Sequence, residues 1–335
     1  MERELMNGLL EWKASPNRKP LLLYGARQVG KTWLLEDFGR REYESFVRVD
    51  FQKEASLRAA FQRDLDVERI VREIALRKNA TIDPASTLLI LDEIQEAPGA
   101  LTSLKYFRED MPELHVAAAG SYMGIAQHEG ESFPVGKVDS LTLRPMGFVE
   151  FLKACGHGAL AAAIRERDFA AIEHSARDLV EEQLRNYLFV GGMPEAVLAF
   201  SRSGSFDAAR DVQLQIASDY DGDFSKHAPA RLLERMRLVW RSLPSQLSRE
   251  NKRFVYGAVR KGARAKDLEE SIQWLRDYGV VQKVPRVTAL RAPLAGYEDL
   301  SAFKLFCESD VYTYSNLDGI RFARSETLGQ GGTKC

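Results

Sequence analysis

An α/β fold is what the sequence predicts: a parallel sheet, then a helical region, then a small winged-helix-like module. Three observations carry this. Short apolar segments at 21–23, 46–51, 87–91, 115–119 and 138–143 alternate with stretches of helical period, as strands do when they join through helices into a parallel sheet. The segments at 21–23 and 88–91 are unbroken apolar runs, the pattern of strands buried on both faces. After Pro145 the strand signal fades and helical periodicity takes over.

The first strand leads into Gly25, four further residues, then Gly30-Lys31-Thr32. This is the phosphate-binding loop pattern, and its context of apolar strand before and helix after is the required one. Gly25 and Gly30 permit backbone angles that a side chain would resist, so that N–H groups along Ala26, Arg27, Gln28 and Val29 can turn around a phosphate. Lys31 brings an ammonium to the β- and γ-phosphates, and Thr32 offers a hydroxyl to Mg²⁺. A helix running on through Leu34, Leu35 and Phe38 aims its positive end at the anion. Residues 25–32 are therefore the expected nucleotide site, with ATP and Mg²⁺ as ligands and a P-loop NTPase sheet as the scaffold.

The strand at 87–91 ends in Asp92-Glu93. An isolated acidic pair is often a solvated strand end. Here it follows Leu88-Leu89-Ile90-Leu91 and trails the phosphate loop by about sixty residues, the order of a nucleotide-hydrolysing site. Asp92, with Thr32, is the expected metal ligand, and Glu93 the residue that polarises water. A polar residue at the end of the next strand, Ser121, is placed to touch the γ-phosphate, although capping of the following turn would use it equally well.

The remaining elements follow from periodicity. Leu5, Leu9 and Trp12 mark an amphipathic helix, and 66–78 reads as another. Leu101, Leu104 and Phe107 mark a third. Beyond Pro145, helices are expected at 148–152, as one alanine-rich stretch at 159–173, and at 176–189, 195–200, 206–220, 229–242 and 265–278. The segment SIQWLRDYGVVQKV, helix, glycine turn and strand, suits a winged-helix-like unit. The expected domains are 1–145 for the nucleotide-binding sheet, 146–224 for a helical lid, 225–290 for the winged-helix-like module, and 291–335 for the start of a further domain.

Composition narrows the partners. The chain has 335 residues, is 45% hydrophobic and 28% charged, and carries a net charge of -1, which describes a globular protein without a global field. The charge is uneven, however. Residues 225–290 hold 15 Lys or Arg against 6 Asp or Glu, an asymmetry that points that segment at an anionic partner, nucleic acid or protein. A solvated basic face would look the same. Cys155, Cys307 and Cys335 are too far apart for a metal or disulfide pattern, and a reducing, cytoplasmic compartment is expected. The N-terminus lacks the apolar core of a signal peptide, and no apolar run reaches the ~20 residues of a membrane span.

The motifs in their order resemble the family of AAA-type ATP-binding proteins that pair an N-terminal ATPase domain with a C-terminal domain of unknown function. The likeness rests on GARQVGKT from Gly25, TLLILDEIQ from Thr87, AAAGSYMG from Ala117 and SFPVGKV from Ser132. It continues through LRPMGFVEFL from Leu143, GGMPEAV from Gly191 and EESIQWLRDYGVV from Glu269. The resemblance implies a P-loop ATPase with Glu93 activating water, Lys31 on the phosphates and Ser121 as sensor, working as a homo-oligomer. It places Lys137 where many relatives carry arginine, and leaves the charge-supplying finger unassigned. It also implies a nuclease-like part opening at AFKLF from Ala302. Here the text departs after Phe306, so the chain is expected to stop short of that part. Its AFKLF strand would then be an unpaired edge and its tail poorly ordered.

The expected function is an ATPase that couples hydrolysis to a conformational change on a partner. The alternative is a nucleotide-dependent switch or nucleic-acid-associated regulator with little turnover. A small-molecule kinase would need an acceptor pocket that the sequence does not reveal.

Overall fold

The computed structural model describes residues 1–120 and 134–307. The chain opens with helix α1 (Leu5–Ala14) and strand β1 (Leu21–Tyr24), then α2 (Lys31–Glu42), β2 (Ser45–Asp50), α3 (Ala55–Arg63) and α4 (Val67–Lys78). It continues with β3 (Thr87–Asp92), α5 (Ala100–Asp110), β4 (His115–Ala119) and β5 (Asp139–Thr142). The five strands form one parallel sheet in the order β2-β3-β4-β1-β5. All five strand segments expected from the sequence are present, and the P-loop NTPase architecture follows.

Residue parity decides which face of the sheet each side chain enters. Leu21, Leu23, Leu88, Ile90, Ala117 and Ala119 pack under α1 and α2, against Leu9, Trp12, Leu35 and Phe38. Leu22, Leu89, Leu91, Val116 and Ala118 pack on the other side with Ile70, Ile74, Leu104 and Phe107 of α4 and α5. Both faces are covered, which is why these strands are apolar throughout. The pairing sets Asp50 beside Asp92 and Asp92 beside Ala119, so the carboxyl ends of the strands make one rim, where ligands bind in open parallel sheets.

A run of helices follows: α6 (Phe148–Ala154), α7 (Gly158–Glu166), α8 (Phe169–Ser175), α9 (Arg177–Val190), α10 (Pro194–Ser203), α11 (Phe206–His227) and α12 (Ala230–Leu247). The single alanine-rich helix expected at 159–173 is two helices. Arg167 takes a left-handed conformation that ends the first, and the Asp168 carboxylate caps the second by accepting from Ala171 N–H at 3.2 Å, a stop and start that alanine content cannot encode. Helix α3, with Leu57, Ala60 and Phe61 buried, is an addition to the periodicity reading.

The chain then forms α13 (Tyr256–Val259), α14 (Ala265–Asp277) and an antiparallel hairpin of β6 (Val281–Val287) and β7 (Glu298–Cys307). The unpaired edge expected at AFKLF is therefore corrected: Phe303 pairs with Pro285 and Leu305 with Lys283. Ala302, Phe303 and Leu305 are buried, so burial of that strand repays a loop too long for a tight-turn signal. A boundary at residue 290 falls inside this hairpin. Residues 308–335, and the expectation of a loose tail, lie outside the described residues. Among the described residues no helix is long and apolar enough to cross a membrane.

Candidate functional site

The site grows from the loop between β1 and α2. Gly25, Gln28 and Gly30 all have positive φ, at 154°, 64° and 92°, which curls the segment back on itself. Gly25 has a second reason to be glycine: a Cβ there would stand 2.3 Å from the carbonyl oxygen of Leu143, the residue after β5. Lys31 opens α2 and folds back over the loop, its Nζ donating to the carbonyls of Gly25 and Ala26, each at 2.8 Å. An ammonium has three donors, so the loop carbonyls occupy two and one is left for an anion. Burial depresses the Lys31 pKa to about 8, with the charges of Glu93 and Asp92 opposing the shift.

Across the sheet, Asp92 ends β3 almost fully buried. Its Oδ2 accepts from Thr32 Oγ1 at 2.8 Å and from Arg48 Nε at 3.0 Å. Arg48, on β2, also reaches Glu36 of α2 and Asp50. Burial pushes the Asp92 carboxyl upward in pKa, while the Thr32 hydrogen bond and the Arg48 charge hold it down. Arg48 thus compensates a carboxylate that would be costly to bury alone.

The donor set fits Mg²⁺. Two adjacent ligands of an octahedral ion at about 2.1 Å stand roughly 3 Å apart, and Thr32 Oγ1 and Asp92 Oδ2 are 2.8 Å apart. No trio of His, Cys, Asp or Glu forms a metal cage among the described residues. Mg²⁺ commonly takes most of its ligands from phosphate and water.

Glu93 follows in a left-handed conformation, φ 53°, at the start of a short 3₁₀ turn. Its Oε2 accepts from Gln95 Nε2 at 2.6 Å, and its N–H donates to Asp92 Oδ1 at 3.2 Å. Gln95 lies over Gly120 at the end of β4, where a Cβ would meet its Oε1 at 2.3 Å. The structure therefore gathers Gly25 to Thr32, Asp92 and Glu93 at one rim. Ser121 lies outside the described residues. Lys137 forms an ion pair with Glu109 at 2.9 Å.

Several residues here carried no signal in the sequence. Arg3 donates to the Val29 carbonyl at 2.7 Å and to Glu150 at 3.0 Å, tying the N-terminus and α6 to the loop. Helix α11 lays Asp219, Tyr220 and Asp223 on the loop residues Arg27 and Gln28. Tyr278 OH donates to Asp223 at 3.3 Å. Beside the loop lies a cavity of about 490 Å³, lined in part by Gly25, Ala26, Gly120, Arg144 and Tyr278. Arg48 left no trace either: it stands at a polar position of the alternating segment 46–51, which reads as a solvated face.

Comparison with known proteins agrees with this fold. Residues 17–152 match the AAA domain family, and residues 181–311 match a domain of unknown function, DUF8612. No curated protein matches the sequence. Among solved structures, the Walker-type ATPase PABY2304 of Pyrococcus abyssi superposes with a TM-score of 0.55 at 16% identity, over 93% of this chain and 94% of that one. The Aeropyrum pernix ORC1 protein, solved in complex with DNA, gives a TM-score of 0.33 at 14% identity, over 92% and 89% of the two chains, too low to carry an argument. The first shows a shared fold. With the loop, the acidic strand end and the two matched domains in one chain, this protein belongs to the AAA-type P-loop family of ATP-binding proteins that carry a C-terminal domain of unknown function.

Proposed function

We propose that the chain binds ATP with Mg²⁺ on residues 25–32 and hydrolyses it. The observation that carries this reading is the meeting of Thr32 and Asp92 at 2.8 Å beneath the loop that Lys31 closes. The loop N–H groups and Lys31 hold the phosphates. Thr32 and Asp92 hold the metal, which neutralises phosphate charge when bound. Glu93, one residue beyond Asp92, orients the attacking water and takes its proton. Positioning and charge stabilisation do most of the work in phosphoryl transfer. Phosphate release by the purified protein tests it, with Lys31→Ala as the control. Equal release from both would assign the activity to a contaminant.

A second reading adds an anionic partner for the C-terminal module, and a specific observation favours it. Residues 251–266 hold six cations and no carboxylate. Lys252, Arg260, Lys261, Arg264 and Lys266 are exposed and stand in no ion pair among the described residues. Three other cations of the module are paired, Arg231 with Glu270, Arg237 with Asp221 and Lys283 with Glu269, while Arg235 and Arg241 of α12 and Arg249 just after its end are exposed and, among the described residues, also in no ion pair. Unpaired cations on one segment suit the backbone of nucleic acid, whose binding weakens steeply with salt. Binding of duplex DNA or RNA at low salt, lost when Arg260, Lys261 and Arg264 become Ala, is the expected result. No binding at low salt would leave only a solvated basic face.

A further inference from the structure

Helix α11 reaches the phosphate loop with three neighbouring side chains. Gln28 Nε2 donates to Asp219 Oδ2 at 2.7 Å, and Tyr220 OH donates to the Arg27 carbonyl at 2.9 Å. The Arg27 guanidinium pairs with the Asp223 carboxylate, which also accepts from Tyr278 OH. Asp223 is 4% exposed. A carboxylate so buried is costly unless a cation compensates it, and Arg27 of the phosphate loop is that cation.

We propose that Arg27 is a ligand of the ATP γ-phosphate, that Asp223 holds it while the site is empty, and that ATP loosens α11 by taking it. This rests on the reading that the loop binds ATP. Arg27 is rooted in the turn whose backbone would surround the phosphates, between Gly25 and Lys31. A guanidinium fork fits a carboxylate or a phosphate, in the same bidentate manner. The terminal phosphate of ATP carries more negative charge than one carboxylate, so the exchange runs toward ATP. Electrostatics adds a push: Asp219 and Asp223 are brought to the same loop, where a triphosphate repels them. ADP has no γ-phosphate, so it leaves Arg27 with Asp223 and α11 in place.

The latch therefore discriminates between nucleotides and converts the difference into movement of the helical region. By linkage, whatever affinity ATP loses in breaking the Arg27–Asp223 pair reappears as weakened docking of α11. Arg27 would then supply in cis the charge that no other residue has been assigned to supply.

The test is made on the full chain with Mg²⁺ present. ATP and ADP affinities are measured by calorimetry for wild type, Asp223→Asn and Arg27→Ala, and amide hydrogen exchange across 206–227 is followed in wild type with each nucleotide. Asp223→Asn is expected to tighten ATP binding about tenfold and to change ADP binding less than about twofold, within the usual range of coupling between sites. Arg27→Ala is expected to lose most of the preference for ATP. Exchange in α11 is expected to rise with ATP and not with ADP, a readout that needs no variant to fold. Equal shifts for both nucleotides in Asp223→Asn, an unchanged ATP preference in Arg27→Ala, or equal exchange with ATP and ADP would each overturn the proposal. Binding of neither nucleotide by wild type would overturn the ATP reading itself, and this proposal with it.

Discussion

The hydroxyl of Thr32 donates to the carboxylate of Asp92 at 2.8 Å, across a separation of 60 residues. One residue begins α2, the other ends β3, and the parallel pairing β3-β4-β1 sets their elements two strands apart. Their oxygens meet because the phosphate loop folds back over the rim of the sheet. Arg48 supports the same carboxylate from β2, so the oxygens that would hold a metal are already gathered and charge-balanced.

Lys31→Ala removes the ammonium and two hydrogen bonds that close the loop. Mg·ATP is expected to raise the melting temperature of the wild type and not that of the variant, because a ligand stabilises only the state it binds. Differential scanning fluorimetry checks this, and an unchanged ATP-induced shift in the variant would remove the assignment.

Glu93→Gln keeps the shape and the contact with Gln95 but loses proton-accepting power. ATP affinity is expected to persist while kcat falls at least about a hundredfold, the range for a general base. Asp92→Ala is expected to weaken Mg·ATP binding as well, since it empties the place Thr32 and Arg48 converge on. Binding and single-turnover measurements separate the two effects. Full hydrolysis by Glu93→Gln would show that another residue handles the water.

Lys31 also predicts a pH dependence. Its folded pKa is about 8 against 10.5 for the free side chain, so between these values the unfolded chain binds the extra proton. The stability of the empty protein therefore rises with pH across that window as far as Lys31 contributes, and the cost of the buried charge is fully present below pH 8. Phosphate binding needs the charged form. ATP affinity is therefore expected to fall as pH rises through 8, with proton uptake on binding. Titration calorimetry in buffers of different ionisation enthalpy reads this directly. No uptake at pH 8.5 would contradict it.

Gly25→Ala drives a Cβ against the Leu143 carbonyl. A loss of about 1–3 kcal/mol in unfolding free energy is expected, as for other overpacked sites, together with weaker ATP binding. Urea denaturation measures the first. An unaffected midpoint would show that the loop can shift away from β5 at no cost.

The sequence alone determined the strand–loop–helix unit from Leu21 to Phe38, the acidic end of β3 and the parallel sheet. Each depends on neighbours in the chain: eight consecutive residues contain the phosphate-binding chemistry, and unbroken apolar runs announce burial on both faces. Tertiary structure alone decided what surrounds that unit. Arg3 from the N-terminus, Arg48 from β2, and Asp219 and Asp223 from α11 reach the site from three distant parts of the chain, and β7 pairs with β6 across a long loop. Periodicity tells which face of a helix is buried, but not against what, because the partner is chosen by the packing of whole elements. The carboxylates of α11 look like solvated residues on a polar face in the sequence, and only the docking of that helix turns them toward Arg27 and Gln28.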